Sequence, residues 1–473
     1  MNEEIEEYYE ELYRLYVDEN QPLERRYRQL RESLERVVRE KIQGNSLQTT
    51  DLAARINYVA TQYGLDLKEQ NQLHTFRLTS NDILNHRKSP VKEEFLRDLR
   101  AVAYAYRKMF AQDIPLKLFS VLPKQEIASS GKKEKMEYIR RIRVCFDYAD
   151  DTYLYVHPVD VIADEPIRVV YNKPGINHEF EETIKELWRY AQLNLLDVSV
   201  DRDGIYTPSF IVLEPDYLID ISSLAECYKD YGSHPANYFL SRLVPIDNAR
   251  PLLLGNIANL FLDEWIHAGE EEPDYIDCMK KAFRQYPIEL AACAELRDPS
   301  KEKEFAKDCR MHFEHIRDVV QHTFLEPGYN LDKKEAVLEP SYICEALGIQ
   351  GRLDYMQRDM SSFIEMKSGK ADEFSMQGKV EPKENNKVQM LLYMAVLEYS
   401  MGEDRRRMHP YLLYTRYPLL YPARASWAQV RRVINLRNRI VAAEYGVQFH
   451  NHPDFTRNLL AQINPEVVNE RKL

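Results

Sequence analysis

The spacing of apolar positions changes period along the chain, and each change predicts a different kind of element. Tyr9, Leu12, Tyr13 and Tyr16, then Tyr27, Leu30, Leu34, Val37 and Val38, recur at helical intervals with charges between them. The segments "LTSNDILNHR" and "FLRDLRAVAYAYRKMF" continue this pattern, which predicts an all-helical region over residues 1–112. From there the period shortens. "EYIRRIRVCFDY", "TYLYVHPV", "PIRVVYN" and "PSFIVLEPDYLIDIS" are β-branched and aromatic runs separated by Pro, Gly, Asp and Asn. One stretch, "HEFEETIKELWRYAQLNLL", reads as helical between them. The expectation for residues 113–222 is a β-rich, barrel-like domain, partly open.

Helical spacing then returns in "ANYFLSRLVP", "LLLGNIANLFLDEWIHAG", "YIDCMKKAFRQYPIELAAC" and "KEFAKDCRMHFEHIRDVVQHTF". After the Pro-Gly break in "EPGYN" the order becomes strand, strand, strand, helix, strand: "EAVLEPSYIC", "GRLDYMQ", "SSFIEMKS", "NNKVQMLLYMAVLEYS", "HPYLLYTRY". Residues 223–473 are therefore expected to form a mixed α/β domain with a helical insertion and C-terminal helices. A length of 473 residues suits such a multidomain reading.

Composition narrows the partners. The chain is 44% hydrophobic and 30% charged, ordinary for a globular protein, and its formal net charge is -12. Such an acidic chain lacks a global field for polyanions, so nucleic acid would have to be met by a local basic groove. Four arginines, Arg431, Arg432, Arg437 and Arg439, on the helix "VRRVINLRNRIVAAEY" offer such a patch, as do Arg405 to Arg407. Six scattered cysteines form no CxxC pair and read as reduced, buried thiols. The acidic N-terminus is unlike a signal peptide, and no apolar run reaches the roughly 20 residues that span a bilayer, so no membrane contact and a cytoplasmic location are expected.

Chemistry concentrates in "GRLDYMQRDMSSFIEMKSGK". Phosphodiester hydrolysis needs a hard divalent cation, and carboxylate oxygens are its preferred ligands. Asp354 and Glu365 stand on adjacent predicted strands joined by a polar turn, so a hairpin can bring them together. Lys367 follows Glu365 by two residues and shares its strand face. Nearby carboxylates favour a charged lysine and burial a neutral one, and the sequence leaves both open. On the next helix Gln389 and Tyr393 lie one turn apart, on one face. A second Glu-x-Lys, Glu381 to Lys383, sits in a polar run, and no Glu-x-Lys follows Asp216 on a neighbouring strand.

The ordered set Gly351-x-x-Asp354, Glu365-x-Lys367, Gln389-x-x-x-Tyr393, on strand, strand and helix, resembles the RecB-type branch of the PD-(D/E)XK nuclease superfamily over roughly residues 250–420. The resemblance implies a restriction-endonuclease-like core, a central mixed sheet flanked by helices, and a Mg2+- or Mn2+-dependent deoxyribonuclease. It implies Asp354 and Glu365 as metal ligands, Lys367 as the catalytic lysine, and Gln389 and Tyr393 as the motif on the following helix. The Met366 backbone carbonyl is the extra ligand usual in such sites. The family also carries a histidine in a Gly-x-x-x-His setting upstream; Gly255 matches, but Asn259 fills the histidine position. An amide oxygen can still bind a hard cation, so Asn259 is the candidate substituted ligand. No cysteine follows Cys344, so the iron-sulphur cluster of some relatives is not expected.

The layout also resembles the N-terminal half of replication and repair helicase-nucleases that trim DNA flaps. That implies single-stranded or flap DNA as substrate rather than intact duplex, and a helicase domain or subunit as partner. The chain has no phosphate loop of its own. A weakened nuclease fold serving as a DNA-binding scaffold is the competing expectation. Glu339 is a candidate outer carboxylate, whereas Cys309, His312 and His315 lack a fourth ligand and read as an amphipathic helix face.

Overall fold

The structure, a computed structural model, describes residues 3–42, 51–123, 138–160, 163, 165–201, 203–228, 233–243, 249–269, 271–329, 331–374, 379–424, 426–449, 457–458 and 461. The fold is mixed α/β. Two compact units divide at Glu214 and Pro215, and the chain returns to the first unit at Glu444.

The first unit begins with helices α1 (Glu3–Val17), α2 (Leu23–Ile42), α3 (Leu52–Tyr63), α4 (Leu67–Leu84), α5 (Lys92–Phe110) and the short α6 (Leu116–Phe119). Their apolar stripes face inward: Tyr9, Leu12, Tyr27, Leu30, Leu34, Val37 and Val38 are buried in one cluster with Phe76, Phe95 and Tyr106. Strands β1 (Tyr138–Ala149), β2 (Tyr153–Pro158), β3 (Ile167–Val170), β4 (Gln192–Val200), β5 (Tyr206–Thr207) and β6 (Phe210–Leu213) follow, with α7 (Glu181–Lys185) between β3 and β4. β1 pairs antiparallel with both β2 and β4, which curls the sheet. The pairings run β1-β2-β3-β5-β4 and return to β1 without closing a barrel. β3 meets β5 only at Val169 and Tyr206, because a two-residue strand cannot carry a continuous ladder.

The stretch read as one long helical patch is also corrected. Only Glu181–Lys185 is α-helical, and Gln192–Val200 is a strand between β1 and β6. Its first five residues are all buried, so its apolar run is continuous and hides the strand period.

The second unit opens with β7 (Ile219–Asp220), α8 (Ile221–Glu226), α9 (Ala236–Leu243), α10 (Arg250–His267), α11 (Tyr275–Gln285), α12 (Pro287–Ala292) and α13 (Pro299–Gln321). Then come β8 (Ala336–Leu338), β9 (Ser341–Cys344), β10 (Ile349–Arg352), β11 (Tyr355–Gln357), β12 (Ser362–Lys367), the pair β13 (Asp372–Phe374) and β14 (Lys379–Glu381), α14 (Glu384–Val396), β15 (His409–Tyr414), β16 (Leu419–Pro422) and α15 (Trp427–Phe449). The main sheet runs β16-β15-β12-β11-β8 and is mixed, with β12 parallel to β15 and its other neighbours antiparallel. A smaller sheet runs β7-β10-β9, with β7 parallel to β10. That pairing draws residues 219–220 into the second unit, a few residues short of the boundary expected from sequence.

The two faces of β12 serve different purposes, as strand alternation requires. Ile364 and Met366 pack with Leu253, Ile257, Phe261 and Trp265 of α10 and with Phe313 and Ile316 of α13. Glu365 and Lys367 point the other way and meet Gln389 of α14. All six cysteines are buried thiols outside any disulfide, as expected. Among the described residues no helix is long and apolar enough to cross a membrane.

Candidate active site

Asp354 stands where the chain leaves the small sheet and enters the large one. β10 ends at Arg352, β11 starts at Tyr355, and the bend between them frees the Asp354 side chain from either ladder. Its Oδ2 accepts the Met366 backbone N–H at 2.6 Å, taking the place of the strand partner that β11 no longer supplies. The expected hairpin thus forms, with Tyr355 opposite Ile364 and the turn at residues 358–361.

Glu365 is 5% exposed. Its Oε1 accepts from Lys367 Nζ at 2.9 Å and from Gln389 Nε2 at 2.6 Å, while its Oε2 is buried with no hydrogen-bond donor. Lys367 also donates to Gln389 Oε1 at 2.8 Å, and Gln389 Nε2 reaches Ser222 Oγ of α8 at 3.0 Å. The Gln389 amide is therefore fixed: its oxygen faces the ammonium and its nitrogen faces the carboxylate.

Electrostatics follow from this crowding. Burial, then the charge of Asp354, raises the Glu365 pKa well above the ordinary carboxylate range, and Lys367 only partly offsets it. Burial and the Glu339 charge likewise raise Asp354, against the Met366 N–H, Lys367 and Arg352. For Lys367, burial acts to lower the pKa, but Glu365, its hydrogen bond and Asp354 outweigh it, and the pKa ends above the usual lysine value. Of the two forms the sequence left open, the surrounding carboxylates favour the charged lysine.

Tyr393 is fully buried, and its hydroxyl donates to the Arg352 carbonyl at 2.6 Å. It cannot touch a substrate, and it holds the strand end before Asp354. Gly351 makes room for it, since a Cβ there would lie 3.0 Å from the Tyr393 hydroxyl oxygen. Gly255 has a similar use, because a Cβ on it would lie 3.3 Å from Ser368 Oγ at the end of β12. One turn further along α10, Asn259 carries a buried Oδ1 with no donor.

Two residues join the cluster that sequence spacing undervalued. Asp263, one turn beyond Asn259, is pushed up to about 6 by burial and then by Glu339 and Asp354. Its sequence signal was an acid at i+4 in an otherwise apolar helix, "LFLDEW". Glu339 donates its backbone N–H to the Asp354 carbonyl at 3.1 Å and takes Arg352 Nη1 on its Oε2 at 3.1 Å. It adopts φ 49°, a strained left-handed conformation for a residue other than glycine.

The proposed arginine patch is not where sequence put it. Arg437 is fully buried, donating to Gly348 O at 3.1 Å and to Tyr217 O at 2.5 Å, and Arg431 is 9% exposed. Gly348, at φ 64°, is pressed against the Arg437 guanidinium so closely that no side chain fits. Arg432 is exposed and Arg439 half-buried. A helix packed on most of its circumference turns arginines into internal donors, which leaves no four-residue surface for phosphates. In Cys309, His312 and His315 the first two are buried core residues, and His315 meets Thr415 O at 3.0 Å.

Among the described residues no group of three or more His, Cys, Asp or Glu is arranged as a ready metal cage. Glu365 and Asp354 have the chemistry a divalent cation takes, a donorless buried carboxylate oxygen beside a second carboxylate, and Asn259 on α10 carries a donorless buried amide oxygen of the same kind. Compared with protein-family models and with curated proteins, the chain matches none.

Proposed function

We propose that the second unit is a Mg2+- or Mn2+-dependent deoxyribonuclease of the RecB-type PD-(D/E)XK kind, hydrolysing phosphodiester bonds of single-stranded or flap DNA. The observation that carries this reading is the Glu365 carboxylate, held on one oxygen by Lys367 and Gln389 and left without a donor on the other. Most buried carboxylate oxygens have a partner, and this one lacks it beside a lysine and a second carboxylate. Asp354 and Glu365 would hold the cation, with the Met366 carbonyl and the Asn259 amide as further oxygen donors. Bound there, it would polarise a phosphoryl oxygen and acidify a water.

The chain's own residues complete the chemistry. Lys367, charged and anchored through Gln389, sets a positive group where negative charge grows on the phosphoryl oxygens. Tyr393 and Gly351 fix the strand end that aims Asp354. A role in DNA repair, replication or defence, with a helicase domain or subunit feeding the strand, is the setting this activity suits.

The test is cleavage of end-labelled single-stranded, duplex and flap DNA with Mg2+, Mn2+ or EDTA, beside Lys367→Ala and Asp354→Ala. Metal-dependent cutting lost in both variants is the expected result. Variants that cut as fast as the parent would overturn the reading. Asn259 in a position that favours histidine supports a second one, a DNA-binding scaffold, which predicts binding without cutting and partial recovery in Asn259→His.

A further inference from the structure

Arg352 lies two residues before Asp354, so its Cα is within about 7 Å of that of the proposed metal ligand. Leu353 between them is fully buried, and the Arg352 charge is among those that act on the Asp354 carboxyl. The Arg352 backbone is locked by Tyr393, whereas its side chain is 60% exposed and its Nη1 rests 3.1 Å from Glu339 Oε2. Glu339 is itself 39% exposed, strained in its backbone and tied to the Asp354 carbonyl. An ion pair this open contributes little stability, so exchanging one partner for another anion is cheap. A planar guanidinium on a fixed backbone is also the group best shaped for a phosphate.

We propose that Arg352 is a substrate-phosphate clamp held in reserve by Glu339: in the resting site it pairs with the Glu339 carboxylate, and a nucleic-acid strand displaces that carboxylate with a backbone phosphate. The inference rests on the nuclease reading and deepens it. Lys367 and the carboxylates act at the reacting phosphate, and Arg352 takes a second phosphate of the same strand. The substrate class is therefore a polynucleotide, not a small phosphoester carrying a single phosphate. Glu339, released, turns its charge toward Asp354 and Asp263, both of which already feel it.

The experiment measures binding of a fluorescent oligodeoxythymidylate to the full chain in EDTA across a salt series, with Arg352→Ala, Arg352→Lys, Glu339→Gln and the Arg352→Ala/Glu339→Gln double variant. Loss of Arg352 should weaken binding about tenfold and lower the salt slope by roughly 0.7, the share of one single-strand phosphate contact. Glu339→Gln should tighten binding about threefold by freeing Arg352, and this gain should vanish when Arg352 is already alanine. Arg352→Lys should keep the slope and lose part of the affinity. A gain from Glu339→Gln that persists without Arg352 would mean general charge relief and overturn the clamp, as would a salt slope indifferent to Arg352. A parent chain that cuts DNA while its salt slope ignores Arg352 removes this inference alone, and one that neither binds nor cuts removes the nuclease reading with it.

Discussion

Asp98 in the helical unit and Glu365 in the sheet unit are both buried carboxylates with pKa values raised by burial, yet they are handled in opposite ways. Asp98 Oδ2 accepts from Tyr27 at 3.1 Å, and its Oδ1 accepts Arg97 through Nε at 3.1 Å and Nη2 at 3.0 Å. Glu365 has two donors on one oxygen and none on the other. Both acids resist ionisation, so a perturbed pKa alone does not separate structure from function. The distinguishing observation is the oxygen left without a partner. Asp98 is finished as a structural group, and Glu365 is finished only by something from outside the chain.

Substitution should split the two cleanly. Glu365→Gln should lower DNA cleavage by about a thousandfold while the melting temperature changes little, since the amide keeps an oxygen to accept from Lys367 and Gln389. A drop in melting temperature to match the lost activity would place Glu365 with Asp98 as a structural acid. Asp98→Ala should cost about 3 kcal/mol in urea unfolding, because it leaves Tyr27 and Arg97 without their acceptor. It should do so without changing the cation dependence of cleavage. Arg437→Ala belongs with it, for Gly348 and Tyr217 would lose a buried donor at a cost of about 3 kcal/mol.

Acidity sharpens the comparison further. His74 is lowered to about 3 by burial and then by Arg77 and His157, and His312 to about 4, again chiefly by burial. Each is neutral in the fold, so the unfolded chain binds more protons: their contribution is complete above about 6.5 and is lost as pH falls toward 4 and then 3. Asp98, raised to about 6, has the opposite sign, with a contribution present below about 4 and lost as pH rises through 6. Unfolding followed from pH 7 to 4 should therefore show acid destabilisation that steepens in Asp98→Asn, where the opposing group is gone. An unchanged slope would mean that Asp98 is ionised throughout. The smallest effect is expected from Arg432→Ala, within about 0.5 kcal/mol of the parent, since this arginine is exposed.

The local record in the sequence was good. Helical stripes such as Tyr27, Leu30 and Leu34 went to the core as their spacing required, and Glu365 and Lys367 came onto one strand face because alternation is a backbone property. Gln389, one helix later, closed on them because Ser222, Glu365 and Lys367 together match its donors and acceptor. Where an element's surroundings mattered, sequence reasoning fell short. Gln192–Val200 looked helical because both faces of that strand are covered, and Arg437 looked like a phosphate contact because nothing local shows that its helix is enclosed.

By itself the sequence determined the order of elements, the periods of their apolar faces, and the constellation Asp354, Glu365, Lys367 and Gln389, all consequences of short-range backbone geometry. Only the tertiary structure decided which oxygens keep a partner, that Tyr393 holds a strand end and not a substrate, and that Glu339 loads charge onto both Asp354 and Asp263. Those outcomes depend on residues far apart in the chain sharing one low-dielectric space, where burial and neighbouring charge, not residue type, set what a side chain can do.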